Sequence, residues 1–311
     1  MNLSDFFNSK KAYQLFGLEN EFNFLKELLL KDKFPNVLML SGNKGSGKAS
    51  LVTHLLSFYF DQNNYNLKEN TILSESSFYN QFLENTFPNI IFLNGTEFQN
   101  VKVDAIRQIK DRLQKKPIID DKRFVVFDDV DFFNKNSLNA LLRLIEDPGK
   151  NNHFILINNK NKTLLDTIKS RSIEVKIIIN DYNIKKIINL LSKKFKIKTL
   201  INNSFTRISP GNFIKFNYIV EINKLNFEDN LIKNINIILD LYQKEKDITY
   251  KDFLIFNIDD YLYKNKKNNL HNNEKIFDLR SLLIRDINDF FFYNINKQSF
   301  LNSIENKIGN E

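Results

Sequence analysis

The residues Gly42-Asn43-Lys44-Gly45-Ser46-Gly47-Lys48 have the types and spacing of a loop that wraps phosphate groups. In such a loop the glycines let backbone N–H groups approach the phosphates, and the lysine neutralises them. The next position supplies a hydroxyl to Mg²⁺. Here that position is Ala49, which has no oxygen to give. Ser50 cannot replace it, because one step along a helix turns a side chain by roughly 100° away. The loop therefore has its phosphate donors but lacks a metal ligand.

A second chemical element lies at Arg123-Phe124-Val125-Val126-Phe127-Asp128-Asp129-Val130-Asp131. An apolar strand ending in carboxylates, downstream of a phosphate loop, is the arrangement that holds Mg²⁺ and activates water. Asp128 takes the metal side. Asp129 stands where a general base must reach the attacking water, and it is one methylene shorter than a glutamate.

The elements that must position these groups follow from hydrophobic periodicity. Short apolar runs at Val37 to Leu40, Asn89 to Leu93, Arg123 to Asp128, Phe154 to Ile157 and Ile173 to Ile178 read as strands. Helical stretches lie between them at Ala49 to Phe60, Val103 to Lys115, Lys135 to Glu146 and Leu164 to Ser170. Strand alternating with helix predicts an α/β fold with a parallel five-stranded sheet and ligands at the carboxyl ends of strands. The polar stretch Asp61 to Phe87 reads as an insertion or long loop with one short helix around Phe78 to Phe82.

Beyond about residue 180 strands stop. Helices are expected over Asn183 to Phe195 and Phe213 to Val220, separated by a break at Ser209-Pro210-Gly211. Amphipathic patterns around Leu231 to Tyr242, Phe253 to Tyr263 and Leu279 to Phe290 predict three further helices, with a polar linker from Lys264 to Asn273. The expected organisation is a nucleotide-binding-like domain over 1–178, a small helical domain over 179–224 and an all-α domain over 225–311.

Composition narrows the partners less than the motifs do. The net charge of +8 favours an acidic partner such as nucleic acid, but the 30 Phe and 11 Tyr beside few Gly and Pro suggest an AT-rich codon bias that also inflates lysine. Cysteine is absent, which removes disulfides and thiolate metal sites. His54, His153 and His271 lack ligand spacing, so no metal centre is expected. Met1-Asn2-Leu3-Ser4-Asp5-Phe6 lacks the character of a signal peptide and no run reaches ~18 apolar residues, so a cytoplasmic protein without membrane partners is expected.

Asp128-Asp129-Val130-Asp131, then Asn139-Ala140-Leu141-Leu142-Arg143-Leu144-Ile145-Glu146-Asp147-Pro148, resemble the D-E-A-D…N-A-L-L-K-x-L-E-E-P stretch of AAA+ clamp loader subunits. In register with it, Leu15-Phe16-Gly17-Leu18-Glu19 is similar to L-I-G-H-E, and Val101 to Arg107 to I-x-V-D-x-I-R. Leu164-Leu165-Asp166-Thr167-Ile168-Lys169-Ser170-Arg171-Ser172 is similar to L-L-P-T-I-x-S-R-C. The resemblance implies an AAA+ domain followed by a helical lid and a helical collar. It implies that Gly42, Gly45, Gly47, Lys48, Ala49, Asp128, Asp129 and Asn158, at the sensor 1 position, form a degenerate nucleotide site. It also implies that Arg171 is an arginine finger acting in trans on a neighbour's ATP, a task that suits a permanently charged, bridging guanidinium.

The sensor 2 arginine expected after Ser209-Pro210-Gly211 is replaced by Asn212-Phe213. Loss on the receiving side with a finger retained resembles the family's non-hydrolysing stator. Weak ATP or ADP binding and no zinc are then expected, the latter because the four-cysteine module of many relatives is missing. The implied partners are the gamma/tau and delta subunits of the bacterial DNA polymerase III clamp loader and, through the complex, the sliding clamp and primed DNA. Two other readings remain: a self-sufficient AAA+ ATPase such as the gamma/tau motor, and a nucleic-acid-binding scaffold in which the loop is a relic.

Overall fold

A computed structural model of the chain describes residues 7–95, 103–115, 119, 121–149, 151–160, 163–201, 208–226, 230–268 and 273–309. His271, Val101 and Lys102 lie outside them. The chain divides into two compact units, one of 7–187 with 209–211 and one of 1–6, 188–208 and 212–311.

In the first unit, helix α1 (Glu19–Leu30) precedes strand β1 (Val37–Ser41) and helix α2 (Lys48–Phe60). A hairpin of β2 (Tyr65–Asn66) and β3 (Thr71–Ile72) leads to α3 (Ser77–Leu83) and β4 (Ile90–Asn94). Then come α4 (Val103–Gln114), β5 (Arg123–Asp128), α5 (Lys135–Glu146), β6 (Asn152–Asn158), the short α6 (Asp166–Ser170) and β7 (Ile173–Lys176). The five longer strands pair in parallel, as the alternation of strand and helix predicts, and their order is β4-β5-β6-β1-β7.

Both faces of the sheet are covered over its inner strands, which explains why β1, β5 and β6 are apolar without alternation, whereas the edge strand β7 alternates and is largely exposed. Leu38 and Leu40 of β1, with Phe124 and Val126 of β5, join one core under α1, α2 and α3. The intervening Val37, Met39, Val125 and Phe127 point the opposite way, into a core under α4 and α5. A period of two sends neighbouring side chains to opposite faces, and here each face meets helices. Arg123, almost fully buried, donates to the carbonyls of Arg112 and Lys115 and so satisfies the end of α4.

Of the two readings of Asp61 to Phe87, the insertion holds and the long loop does not, and the short helix expected around Phe78 to Phe82 is α3. Tyr65, Ile72, Phe78, Tyr79 and Phe82 are buried in the first core. Ser76 caps α3 by accepting from Tyr79 N and donates its hydroxyl to Asp61. The polar residues are the solvent side of a packed insertion, and the strands escaped notice because each is two residues long.

The second unit is helical. Helix α7 (Asp181–Phe195) enters it, and α8 (Pro210–Asn223), α9 (Leu231–Glu245), α10 (Thr249–Asn268), α11 (Asn273–Tyr293) and α12 (Lys297–Gly309) follow. Phe216 packs against Phe253 and Phe256 at centroid distances of 5.0 and 5.4 Å, and Arg280 pairs in bidentate fashion with Asp259. Two expectations change here. Ser209-Pro210-Gly211 is a helix start rather than a break, because proline at the first helical position loses no needed N–H. Lys264 to Asn268, read as linker, continue α10, while residues 269–272 lie outside the described ones.

Candidate functional site

The phosphate loop leaves β1 at its carboxyl end, where Gly42 N donates to Asn158 O at 3.2 Å and ties it to β6. Gly47, at φ +90°, turns the chain into α2, a conformation that favours glycine. Lys48 is the first residue of that helix, and only 2% of it is exposed. Its ammonium donates to Gly42 O at 2.7 Å and Asn43 O at 2.8 Å, so its charge is spent on the loop's own carbonyls. Burial pulls the Lys48 pKa down to about 8, with the nearby Asp128, Asp129 and Asp131 opposing the shift.

The other loop carbonyls are also engaged. Gly211 N donates to Gly45 O at 2.9 Å, and Ser209 Oγ donates to Lys44 O. A Cβ at Gly211 would stand 2.7 Å from Gly45 O, so only glycine permits this approach. Residues 209–211 accordingly belong to the same compact unit as the loop. Ala49 is half-buried and packs its methyl against the core beneath α1 and α2.

The acidic side lies at the end of β5. Asp128 Oδ1 accepts from Asp129 N at 2.9 Å, and burial, reinforced by the Asp129 charge, pushes the Asp128 carboxyl well above the usual range. Asp129 holds a left-handed backbone at φ +52° and accepts a short hydrogen bond from Asn159 Nδ2. Asp131, nearly buried, accepts from Asn159 N at 3.3 Å.

Thus Asn159 is the amide that reaches the acids. Asn158 instead accepts from Lys160 N at 2.9 Å through its own side chain. Adjacent residues at a strand end face opposite ways, and two consecutive asparagines gave the sequence no means of choosing between them. The donor set does not fit a Mg²⁺–nucleotide complex: position 49 offers a methyl, Lys48 is turned into its loop, and an amide already occupies Asp129.

Arg171 follows the short α6, and its side chain is 40% exposed. Nη1 donates to Thr167 O at 3.2 Å and Nη2 lies 3.1 Å from Glu146 Oε1. The two described histidines have structural bonds instead. His54 donates from Nε2 to Ala12 O and accepts from Tyr65 OH at Nδ1, while His153 donates from Nδ1 to Pro35 O and stacks on Phe124. Among the described residues no group of three His, Asp or Glu could hold a metal, and no helix is long and apolar enough to cross a membrane.

Sequence reading missed a groove of about 480 Å³ between α4 and α5, lined by Arg107, Lys110 and Arg143 beside Asn136 and Asn139. Three cations and two amides over the apolar floor of Ile106 and Ala140 suit an anionic polymer. The signal was present as Arg107, Lys110 and Arg143, but they lie on two helices that the sequence does not show to be adjacent.

A parallel sheet whose long strands run 2-3-4-1-5 in order of sequence, with a phosphate loop after the first and acids after the third, defines an AAA+ P-loop domain. A solved structure similar over nearly the full length is a gamma subunit-related protein of Thermotoga maritima. The match has 14% identity and a TM-score of 0.51, covering 91% of this chain and 96% of that one. The chain belongs to the family described as DNA polymerase III, delta subunit, whose model matches residues 17–180, and so to the AAA+ clamp loader proteins.

Among curated relatives, DNA polymerase III subunit delta' of Bacillus subtilis is 25% identical over 141 residues, 45% of this chain and 41% of that protein. Subunit tau of the same organism is 25% identical over 165 residues, 53% of this chain and 28% of that one. Subunit delta' of Pseudomonas aeruginosa is 28% identical over 90 residues, 29% of this chain and 27% of that protein. The chain thus spans less than half the length of these relatives.

Proposed function

We propose that this chain is a delta prime-type stator of the bacterial DNA polymerase III clamp loader. It completes a neighbouring subunit's ATP site rather than running its own, and so helps place the sliding clamp on primed DNA. The observation that carries this reading is an asymmetry. Arg171 presents a half-exposed guanidinium at a helix tip, whereas Lys48 is buried in its own loop and Ala49 offers no metal ligand. In the reading, Arg171 bridges phosphate oxygens as charge develops on the neighbour's ATP. Its partners are gamma/tau and delta subunits, its own nucleotide binding is weak, and its compartment is the cytoplasm. The Arg107, Lys110 and Arg143 groove is proposed to meet DNA phosphates.

The test is reconstitution with the partner subunits, the clamp and primed DNA. Arg171→Ala is expected to lower the stimulated ATPase rate by roughly 10³-fold or more per site completed by this chain, the range known for arginine fingers. An undiminished rate would overturn the assignment. Similarity to tau, equal in identity to that with delta', favours one alternative: a self-sufficient ATPase. That reading requires ATP hydrolysis by the purified chain alone, abolished by Lys48→Ala.

A further inference from the structure

Glu146 is the last residue of α5, at the negative end of the helix dipole. An acid is unfavourable at that end, so a cation close by stabilises it. The compensation is the ion pair to Arg171 Nη2 at 3.1 Å.

The backbone carrying that guanidinium is fixed as well. Arg171 N donates to Ile168 O at 3.2 Å, Ser172 Oγ to the same carbonyl at 3.0 Å, and Ser170 Oγ to Thr167 O at 3.1 Å. Arg171 Nη1 takes Thr167 O in turn, so the guanidinium is gripped from two helix ends. Yet the two side chains of the ion pair remain 40% and 49% exposed. A pair this open is weak enough for phosphate oxygens to share the guanidinium without leaving a buried charge stranded.

We infer that Glu146 is a positioning residue for Arg171: it holds the guanidinium at the tip of α6 with part of its N–H fork accessible, so that an incoming phosphate meets a preset fork. Arginine otherwise has many rotamers, and fixing them beforehand removes that ordering cost from the moment of reaction. Positioning acts on the transition state, so kcat is the parameter affected, whereas affinity for ATP belongs to the neighbour's own loop. This inference rests on the reading of Arg171 as a finger acting in trans.

The experiment compares Glu146→Ala, Glu146→Gln, Arg171→Ala and the Glu146→Ala/Arg171→Ala double variant, each reconstituted with gamma/tau and delta partners, clamp and primed DNA. Glu146→Ala is expected to lower kcat by roughly two- to fivefold with KM unchanged, the scale of one exposed charge pair. Glu146→Gln, which keeps an acceptor oxygen at the same reach, should recover most of the loss, and the double variant should be no worse than Arg171→Ala alone. Full activity of Glu146→Ala beside an inactive Arg171→Ala would overturn the positioning role and leave the finger standing. Full activity of Arg171→Ala would overturn both. Losses that multiply in the double variant, or a rise in KM alone, would show that Glu146 acts elsewhere.

Discussion

Lys48 holds a positive charge where burial disfavours it, and this makes the phosphate loop sensitive to pH. Its folded pKa of about 8 lies below the ordinary 10.5. Below about pH 8 both folded and unfolded chains are protonated and the burial penalty is fully present; between the two values only the unfolded chain keeps the proton, so stability rises with pH. The buried Tyr65 and Tyr79 are shifted up by burial, so above about pH 10 the unfolded chain loses protons that the folded one retains, and stability falls. The thermal midpoint is therefore expected to climb from about pH 7 to 9.5 and then drop. Lys48→Met should remove most of the climb, with Lys194, also lowered by burial, supplying the rest. A flat wild-type curve would contradict the buried ammonium. At this scale the sequence identified the groups but not their engagements: Lys48 turned inward, and Asn159 rather than Asn158 on Asp129, are set by which neighbours the fold brings close.

Elements were legible where their residues are uniform in kind. Arg123 to Asp128 could be bounded to the residue because five of its six positions are buried and the sixth is the acid that ends it. Helix α1 and helix α12 escaped because Asn, Glu and Lys dilute their apolar stripe, and Lys264 to Asn268 passed for linker because a charged run carries no periodicity even when it extends a helix. Two predictions belong to elements. Gly211→Ala must strain the backbone where Gly211 approaches Gly45 O, and should cost about 1–3 kcal/mol of stability in chemical denaturation. The α4–α5 groove should respond to charge removal: Arg107→Ala with Arg143→Ala should make the log–log salt slope of DNA binding by the reconstituted complex shallower by roughly two, with little dependence on DNA sequence. An unchanged slope would remove the groove from the DNA path.

The whole molecule has one unit built on a sheet with two cores and one built of helices, and the family match stops at residue 180, close to where the first unit ends. Two units with separate cores are expected to unfold in two calorimetric transitions, and a single transition with matching calorimetric and van't Hoff enthalpies would mean that they melt as one. The lid and collar readings drew on resemblance, because helices carry less topological signal than an ordered sheet. A protein stabilised by a bound nucleotide gains stability in proportion to the logarithm of that nucleotide's concentration, so its abundance follows the energy state of the cell. Lys48 satisfies the loop carbonyls from within. On the stator reading, a subunit folded around its own lysine is expected to keep nearly the same thermal midpoint with and without added ATP, and a large nucleotide-dependent rise would contradict it.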